Sequence, residues 1–205
     1  MMCSVTAPVP RRERLRLATI DEIKQVARDQ MARDGAATLS LRAVAREVSI
    51  AATSVYLHFP DRDALVLAVM HRCHEDMLRT GDSAEAEHVD PAARLRARML
   101  AMCAWANAHP GLYKVMHESK VNRRYDTKFK EVLGERITAA VQRCMDAGLA
   151  PNDDAVTVTV DLRTAMLGLL SSRINEPDLP WPPAVEQIDR FLVKLVGLAP
   201  TVTEQ

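Results

Sequence analysis

A chain of 205 residues, 48% of them apolar and 26% charged with no formal net charge, is long enough to bury a substantial core and too apolar to be disordered. Only 4% of its residues are aromatic, while Ala, Leu, Val, Met and Arg abound, a mixture that favours helices over twisted sheets. Zero net charge argues against general stickiness toward nucleic acid, and Cys3, Cys73, Cys103 and Cys144 show neither CxxC nor zinc-finger spacing, which reads as reduced apolar fillers. No apolar run approaches the ~20 residues of a membrane span, and the arginine-rich start leads into polar helix rather than an apolar signal core. The expectation is an all-α cytoplasmic protein with no cofactor and no membrane partner.

Charge is nevertheless unevenly spread: residues 1–72 hold 11 Lys+Arg against 8 Asp+Glu, and residues 73–205 hold 16 against 19. The arm Arg11-Arg12-Glu13-Arg14-Leu15-Arg16 can neutralise phosphates and release counterions, although a solvated helix start has the same composition. From Leu15 to Asp34 the apolar positions Leu17, Ile20, Ile23, Val26, Ala27 and Met31 recur at three-and-four spacing, which predicts a helix with one buried face, stopped at Gly35. Ser40 is placed to cap a two-turn helix that buries Leu41, Val44, Ala45 and Val48. After a break at Ser49-Ile50, a further short helix is predicted from Ala52 to Phe59, ended by Phe59-Pro60. Asp61 and Asp63 suit the start of a helix running to about Arg79 and stopped by Gly81, with the polar stretch 82–88 as a loop. That organisation divides the chain into a three-helix head, residues 11–80, and a larger helical body, residues 89–200.

In the body, Asp90-Pro91 marks the start of a helix reaching Ala108. A short helix from Leu112 to His117 follows. A long helix from about Tyr125 to Ala147 would bury Phe129, Val132, Leu133, Ile137, Ala140, Val141 and Cys144 before Gly148 closes it. Asp153 or Asp154 caps the next, which reaches about Asn175 and is apolar on more than one face, so that it needs both an intrachain core and a partner. The proline-rich segment 176–183 precedes a last helix from Ala184 to Leu198.

Two short helices a few residues apart, the second exposing small polar side chains, suit a helix-turn-helix whose second helix enters a major groove ~12 Å wide. Chance produces such pairs often, so the detail matters. The run Leu41-Arg42-Ala43-Val44-Ala45-Arg46-Glu47-Val48-Ser49-Ile50-Ala51-Ala52-Thr53-Ser54-Val55-Tyr56-Leu57-His58-Phe59-Pro60-Asp61-Arg62-Asp63-Ala64-Leu65 resembles the tetracycline-repressor (TetR) family. The resemblance spans roughly Ile20 to Met70 and is most specific at Val55-Tyr56-Leu57-His58-Phe59 and Asp61-Arg62-Asp63-Ala64-Leu65. It implies a recognition helix opening at Ala52 with Tyr56 and His58 on its exposed side, and a basic residue, Arg62, at the start of the following helix. Two positions depart from the family pattern. Ser49 stands where relatives usually turn on Gly, and Ala51 where a Ser or Thr commonly caps the recognition helix.

Chemistry distributes the roles. Thr53 and Ser54 are short enough to let the backbone approach base edges, and each can hydrogen-bond or touch a thymine methyl, so they are the specificity candidates. Tyr56, His58 and Arg62, with Ser40 and Arg42 from the supporting helix, can reach phosphates and fix position.

The resemblance further implies a homodimer formed through the helices at 154–175 and 184–198, binding pseudo-palindromic double-stranded operator DNA, and a body pocket for a small-molecule effector that relieves repression. Residues Met102 to Met116 also resemble one C-terminal subgroup of the family. Met102, Trp105, Tyr113, Met116 and Met166 could line that pocket, because thioethers and amphipathic rings accept varied shapes; ordinary core is their other reading. His71, Cys73, His74 and Glu75 are the densest group of metal-ligand types. Cys73, however, falls in the buried stripe while the histidines point elsewhere, which reads as a solvated helix face and not a metal site. No phosphate-cradling glycine loop, nucleophile elbow or HExxH pair appears, so catalysis is not expected. The competing reading is a helical interaction module whose basic arm contacts a membrane or an acidic protein and which would ignore operator DNA.

Overall fold

The computed structural model describes residues 10–118 and 128–200, and among these all regular structure is helical. Helix α1, Arg11–Asp34, begins four residues before the apolar period does. Its arginine arm is already helical, with Arg16 paired to Glu13 at 2.9 Å from Nε to Oε2, because charged residues of good helix propensity and an i,i+3 pair extend a helix beyond its buried face. Gly35 stops it at φ 78°, and a 3-10 turn, Ala36–Thr38, leads on. Helix α2, Leu41–Glu47, is capped by the Ser40 hydroxyl, which accepts from the Ala43 N–H.

The turn that follows carries a φ of 60° at Ser49, the left-handed geometry that glycine adopts freely and serine at a cost. Helix α3, Ala52–Tyr56, has no side-chain cap at Ala51. It is shorter than the Ala52–Phe59 predicted from sequence. The N–H groups of His58 and Phe59 both bond to the Val55 carbonyl, at 3.0 and 2.9 Å. Pro60 draws Phe59 out of helical geometry, and the ring turns into the core.

Helix α4, Arg62–Ala86, opens on the Asp61 cap and runs straight through Gly81, contrary to the expected stop there and the expected loop at 82–88. The reason is a contact made at long range. Arg98, 1% exposed, pairs with Glu85, 5% exposed, and with Asp82. A Cβ on Gly81 would stand 2.8 Å from the Arg98 guanidinium. The acidic residues are therefore helical because they pair inside the protein, and the glycine is where that arginine lies. Arg143 adds a 3.0 Å bond to the second Glu85 oxygen.

Helix α5, Pro91–Ala108, starts on the Asp90 cap. Helix α6, Pro110–Glu118, begins two residues before the predicted Leu112, since proline is tolerated in a first helical turn. Helix α7 is Lys128–Asp146; its expected start at Tyr125 and the expected burial of Phe129 lie outside the described residues. Gly148 closes it at φ 69°. Helix α8, Ala155–Asn175, is capped by Asp154, which accepts from the Val156 and Thr157 N–H groups at 3.1 and 3.2 Å. Its carboxyl is held below the usual range by the Thr157 hydroxyl and then by the Val156 N–H. Helix α9, Ala184–Phe191, continues as a π-helical turn, Leu192–Val196, and ends at Gly197 rather than Leu198.

The head packs α1, α2, α3 and the first half of α4 around Ile23, Ala27, Val44, Val55, Phe59 and Leu65. The second half of α4 packs along α5, and α1 packs on α6. At that last crossing a Cβ on Gly111 would come within 2.2 Å of the Ala32 carbonyl oxygen, so the two backbones meet where a side chain is excluded. Cys73, Cys103 and Cys144 are buried and unbridged, and burial pushes the Cys73 and Cys144 thiols up to about 11; Cys3 lies outside the described residues. No helix among the described residues is long and apolar enough to cross a membrane.

Candidate nucleic-acid interface and body cavity

Helix α3 is short and held from one side. Val55 is fully buried and Phe59 follows it inward, which leaves Thr53 and Tyr56, three residues apart and therefore on one face, directed to solvent. Tyr56 is 46% exposed, Thr53 is exposed, and Ala52, Ser54 and His58 are half-buried. Ser40 and Arg42 are exposed at the start of α2, which packs on α3, so the sequence-derived residues sit within one two-helix unit.

Arg62 is the one that behaves differently. Its Nη1 donates to the Ala37 carbonyl at 3.4 Å and its Nε lies 3.7 Å from the Asp63 carboxylate. The guanidinium is thus drawn back across the turn after α1, tying α4 to that turn. Sequence reasoning passed over Leu57, 83% exposed beside Tyr56. An apolar side chain so placed breaks the polarity of the turn, and that break was its signal.

In the body, α4, α5, α6, α7 and α8 enclose a cavity of about 280 Å³. Of the five residues expected to line a pocket, Met102, Tyr113 and Met166 do so. Met116 is fully packed in core. Trp105 stacks on His109 at 4.9 Å with rings 6° from parallel and borders a separate shallow recess beside Arg79 and Ala101. His109 also closes α5 through its ring nitrogen, 3.0 Å from the Trp105 carbonyl.

The cavity wall further contains Met77, Met99, His74 and Arg163, which sequence reasoning missed. His74 had been placed on a solvated face; it is 7% exposed, and its Nδ1 donates to the Met70 carbonyl at 2.9 Å. His71 and Glu75 instead border a polar cleft with Asp21 and Arg72. Among the described residues no three His, Cys, Asp or Glu side chains are grouped so as to hold a metal ion. The signal for Arg163 was its place as the single cation of α8 before Arg173.

Two family models match the chain: bacterial regulatory proteins of the tetR family over residues 23–69, and the tetracyclin repressor-like C-terminal domain over residues 95–196. The HTH-type transcriptional regulator Rv1816 of Mycobacterium tuberculosis is 28% identical over 163 residues, covering 76% of this chain and 68% of that protein. The structure of the regulatory protein SCO4313 superposes with a TM-score of 0.73 at 25% identity, over 92% of this chain and all of that one. A complex of SmeT with triclosan superposes with a TM-score of 0.70 at 21% identity, over 92% of this chain and 98% of that one. The first model falls on the helices that carry Thr53 and Tyr56, and the second on the helices that enclose most of the cavity.

Proposed function

The chain belongs to the TetR family of bacterial DNA-binding transcriptional regulators, and from that premise we propose that it is a cytoplasmic homodimeric repressor, released from a pseudo-palindromic operator by a small molecule held in the body. The observation that carries this reading is the geometry of α3. A fully buried Val55 fixes a helix whose free face offers Thr53 and Tyr56. Thr53 and Ser54 read base edges, and Tyr56, His58, Ser40 and Arg42 hold phosphates. Arg62 supports the interface mainly by fixing α4 against the turn after α1.

Dimerisation is supported by α8, where Val156, Val160 and Leu167 remain exposed at helical spacing and a Cβ on Gly168 would meet nothing within 4 Å. Such a stripe, together with α9, gives a two-fold pairing that sets two recognition helices ~34–36 Å apart, one turn of DNA. The head at 11–80 and the body at 89–200 are then coupled by α4, which carries Asp61 at its start and His74 and Met77 in the cavity wall. A ligand that prefers a head separation mismatched to the grooves releases the DNA; one with equal affinity for both arrangements does nothing. The solved relative holding triclosan supports a body of this shape as a small-molecule site.

Selection of random duplex DNA by the purified protein, followed by salt titration of the winner against scrambled sequence, tests the reading. An enriched inverted repeat bound with steep salt dependence is the expected outcome. Binding without sequence preference would favour the interaction-module reading instead.

A further inference from the structure

The body cavity differs from an ordinary packing defect in one respect: a guanidinium stands in its wall with no acceptor among the described residues. Several described arginines of the body are engaged. Arg96 forks onto Asp189 at 2.6 and 2.9 Å, Arg98 and Arg143 hold Glu85, and Arg173 donates to the Pro182 carbonyl and to Gln187, both at 2.8 Å. Arg163 is half-buried on α8 and borders the cavity, and among the described residues no carboxylate or carbonyl accepts from it. Its Nη1 lies across α7 at Gly134, 2.9 Å from where a Cβ would be, so the missing side chain leaves its head group room at the rim. Half-buried at the cavity wall, that guanidinium offers an entering anion a donor fork that the described residues do not use.

We propose that the cavity is selective for a small apolar monoanion, a carboxylate carrying one substituted ring or a short chain, and that Arg163 is the residue that takes the carboxylate. This rests on the effector reading above and names the chemistry of that effector. Three observations converge on it. The guanidinium fork matches a carboxylate bidentately. The described wall contains no Asp or Glu, and Arg163 is its permanently charged cation, so its charge favours an anion. The nearby Thr164 hydroxyl is already donated to the Val160 carbonyl at 2.8 Å, which leaves Arg163 as the donor at that wall.

Size and shape set the rest of the molecule. A cavity of about 150 Å³ takes a benzene, so about 280 Å³ admits a substituted ring or a short chain and excludes a long lipid. Met77, Met99, Met102 and Met166 supply an adaptable apolar lining for it.

The test uses the full-length protein and calorimetric titration with benzoate, 2-naphthoate and octanoate, each paired with its carboxamide. The carboxylates should bind at least tenfold more tightly than the amides. Arg163→Gln should bring the carboxylates down to the level of the amides and leave the amides unchanged, while Arg163→Lys, which keeps the charge and loses the fork, should retain part of the preference. The proposal is overturned if the amides bind the wild-type protein as well as the acids, if no carboxylate binds, or if the preference survives in Arg163→Gln. Operator affinity measured in parallel separates the two ideas. Arg163-dependent carboxylate binding that leaves DNA bound would uphold the ligand class and end the release reading. Neutral compounds that free the DNA equally from wild type and Arg163→Gln would uphold release and overturn the anion.

Discussion

The head and the body spend their buried residues differently. The head core is built mainly on Ile23, Val44, Val55, Phe59 and Leu65, branched or aromatic side chains with few rotamers, and it is capped at Ser40 and Asp61. The body buries an ion pair, Arg98 with Glu85, and surrounds about 280 Å³ with flexible methionines. A surface that must match base edges needs rigid support, whereas a site that must accept a ligand and change with it needs slack. The two lie on one chain and share α4, so each residue that joins them is a place where that division of labour can be broken.

The deepest cut is Arg98→Ala, which removes the buried partner of Glu85 and leaves it only the more exposed Arg143 and Arg94. It should cost about 3–5 kcal/mol, read as a lowered urea midpoint, and a double variant with Glu85→Leu should recover much of that loss. If Arg98→Ala is neutral, the continuation of α4 past Gly81 does not depend on the pairing. Next comes Gly111→Ala at the crossing of α6 with α1. Its new methyl meets the Ala32 carbonyl, and overpacking of this kind costs about 1–3 kcal/mol. Because the crossing joins the head to the body, operator affinity should fall with it; a stable variant with unchanged DNA binding would show that the contact transmits nothing.

Two substitutions in the head sharpen the contrast without touching either core. Thr53→Ala should alter base preference at one position of each half-site by about 1–3 kcal/mol. Arg42→Gln should weaken all sequences alike and reduce the salt slope by about one. Competition binding against single-base operator variants distinguishes the two patterns, and a uniform loss from Thr53→Ala would refute its role in reading bases.

The smallest effect concerns the start of α8. The depressed Asp154 carboxyl contributes stability that is present above the ordinary aspartate value, about 3.9, and is lost as pH falls through its lower folded value. Asp154→Asn caps without charge, so the stability difference from wild type should be flat from pH 5 upward and shrink in more acidic buffer. Thermal melts across that range check it; a constant difference would mean the charge contributes nothing.

What the sequence disclosed follows the same division. Ser40 and Asp90 stood as caps, Asp61 as a helix start, Asp153 or Asp154 as the cap of α8, Gly35 and Gly148 as stops, and Ala52 as the opening of a short helix before Pro60, because caps, stops and periodicity are set by residues a few positions apart. Gly81 misled because its neighbour across space, Arg98, is seventeen positions away and the sequence shows no link between them. The same limit hid His74 and Arg163, whose place in the cavity wall depends on how five helices close around it. It also hid the inward turn of Arg62 toward Ala37, which depends on the path of the chain after α1. Met102, Tyr113 and Met166 were found by residue type alone, and type alone also nominated Trp105 and Met116, which packing sends elsewhere.

The proposed mechanism requires two recognition helices held at the spacing of successive major grooves. A Cys3→Ser, Leu57→Cys variant places one exposed thiol beside each recognition helix, since Cys73, Cys103 and Cys144 are buried, and paired spin labels there report the separation directly. With the selected operator bound, one narrow distance of roughly 34–36 Å, within the reach of the labels, is expected. No intersubunit distance, or one far from that spacing, would contradict it.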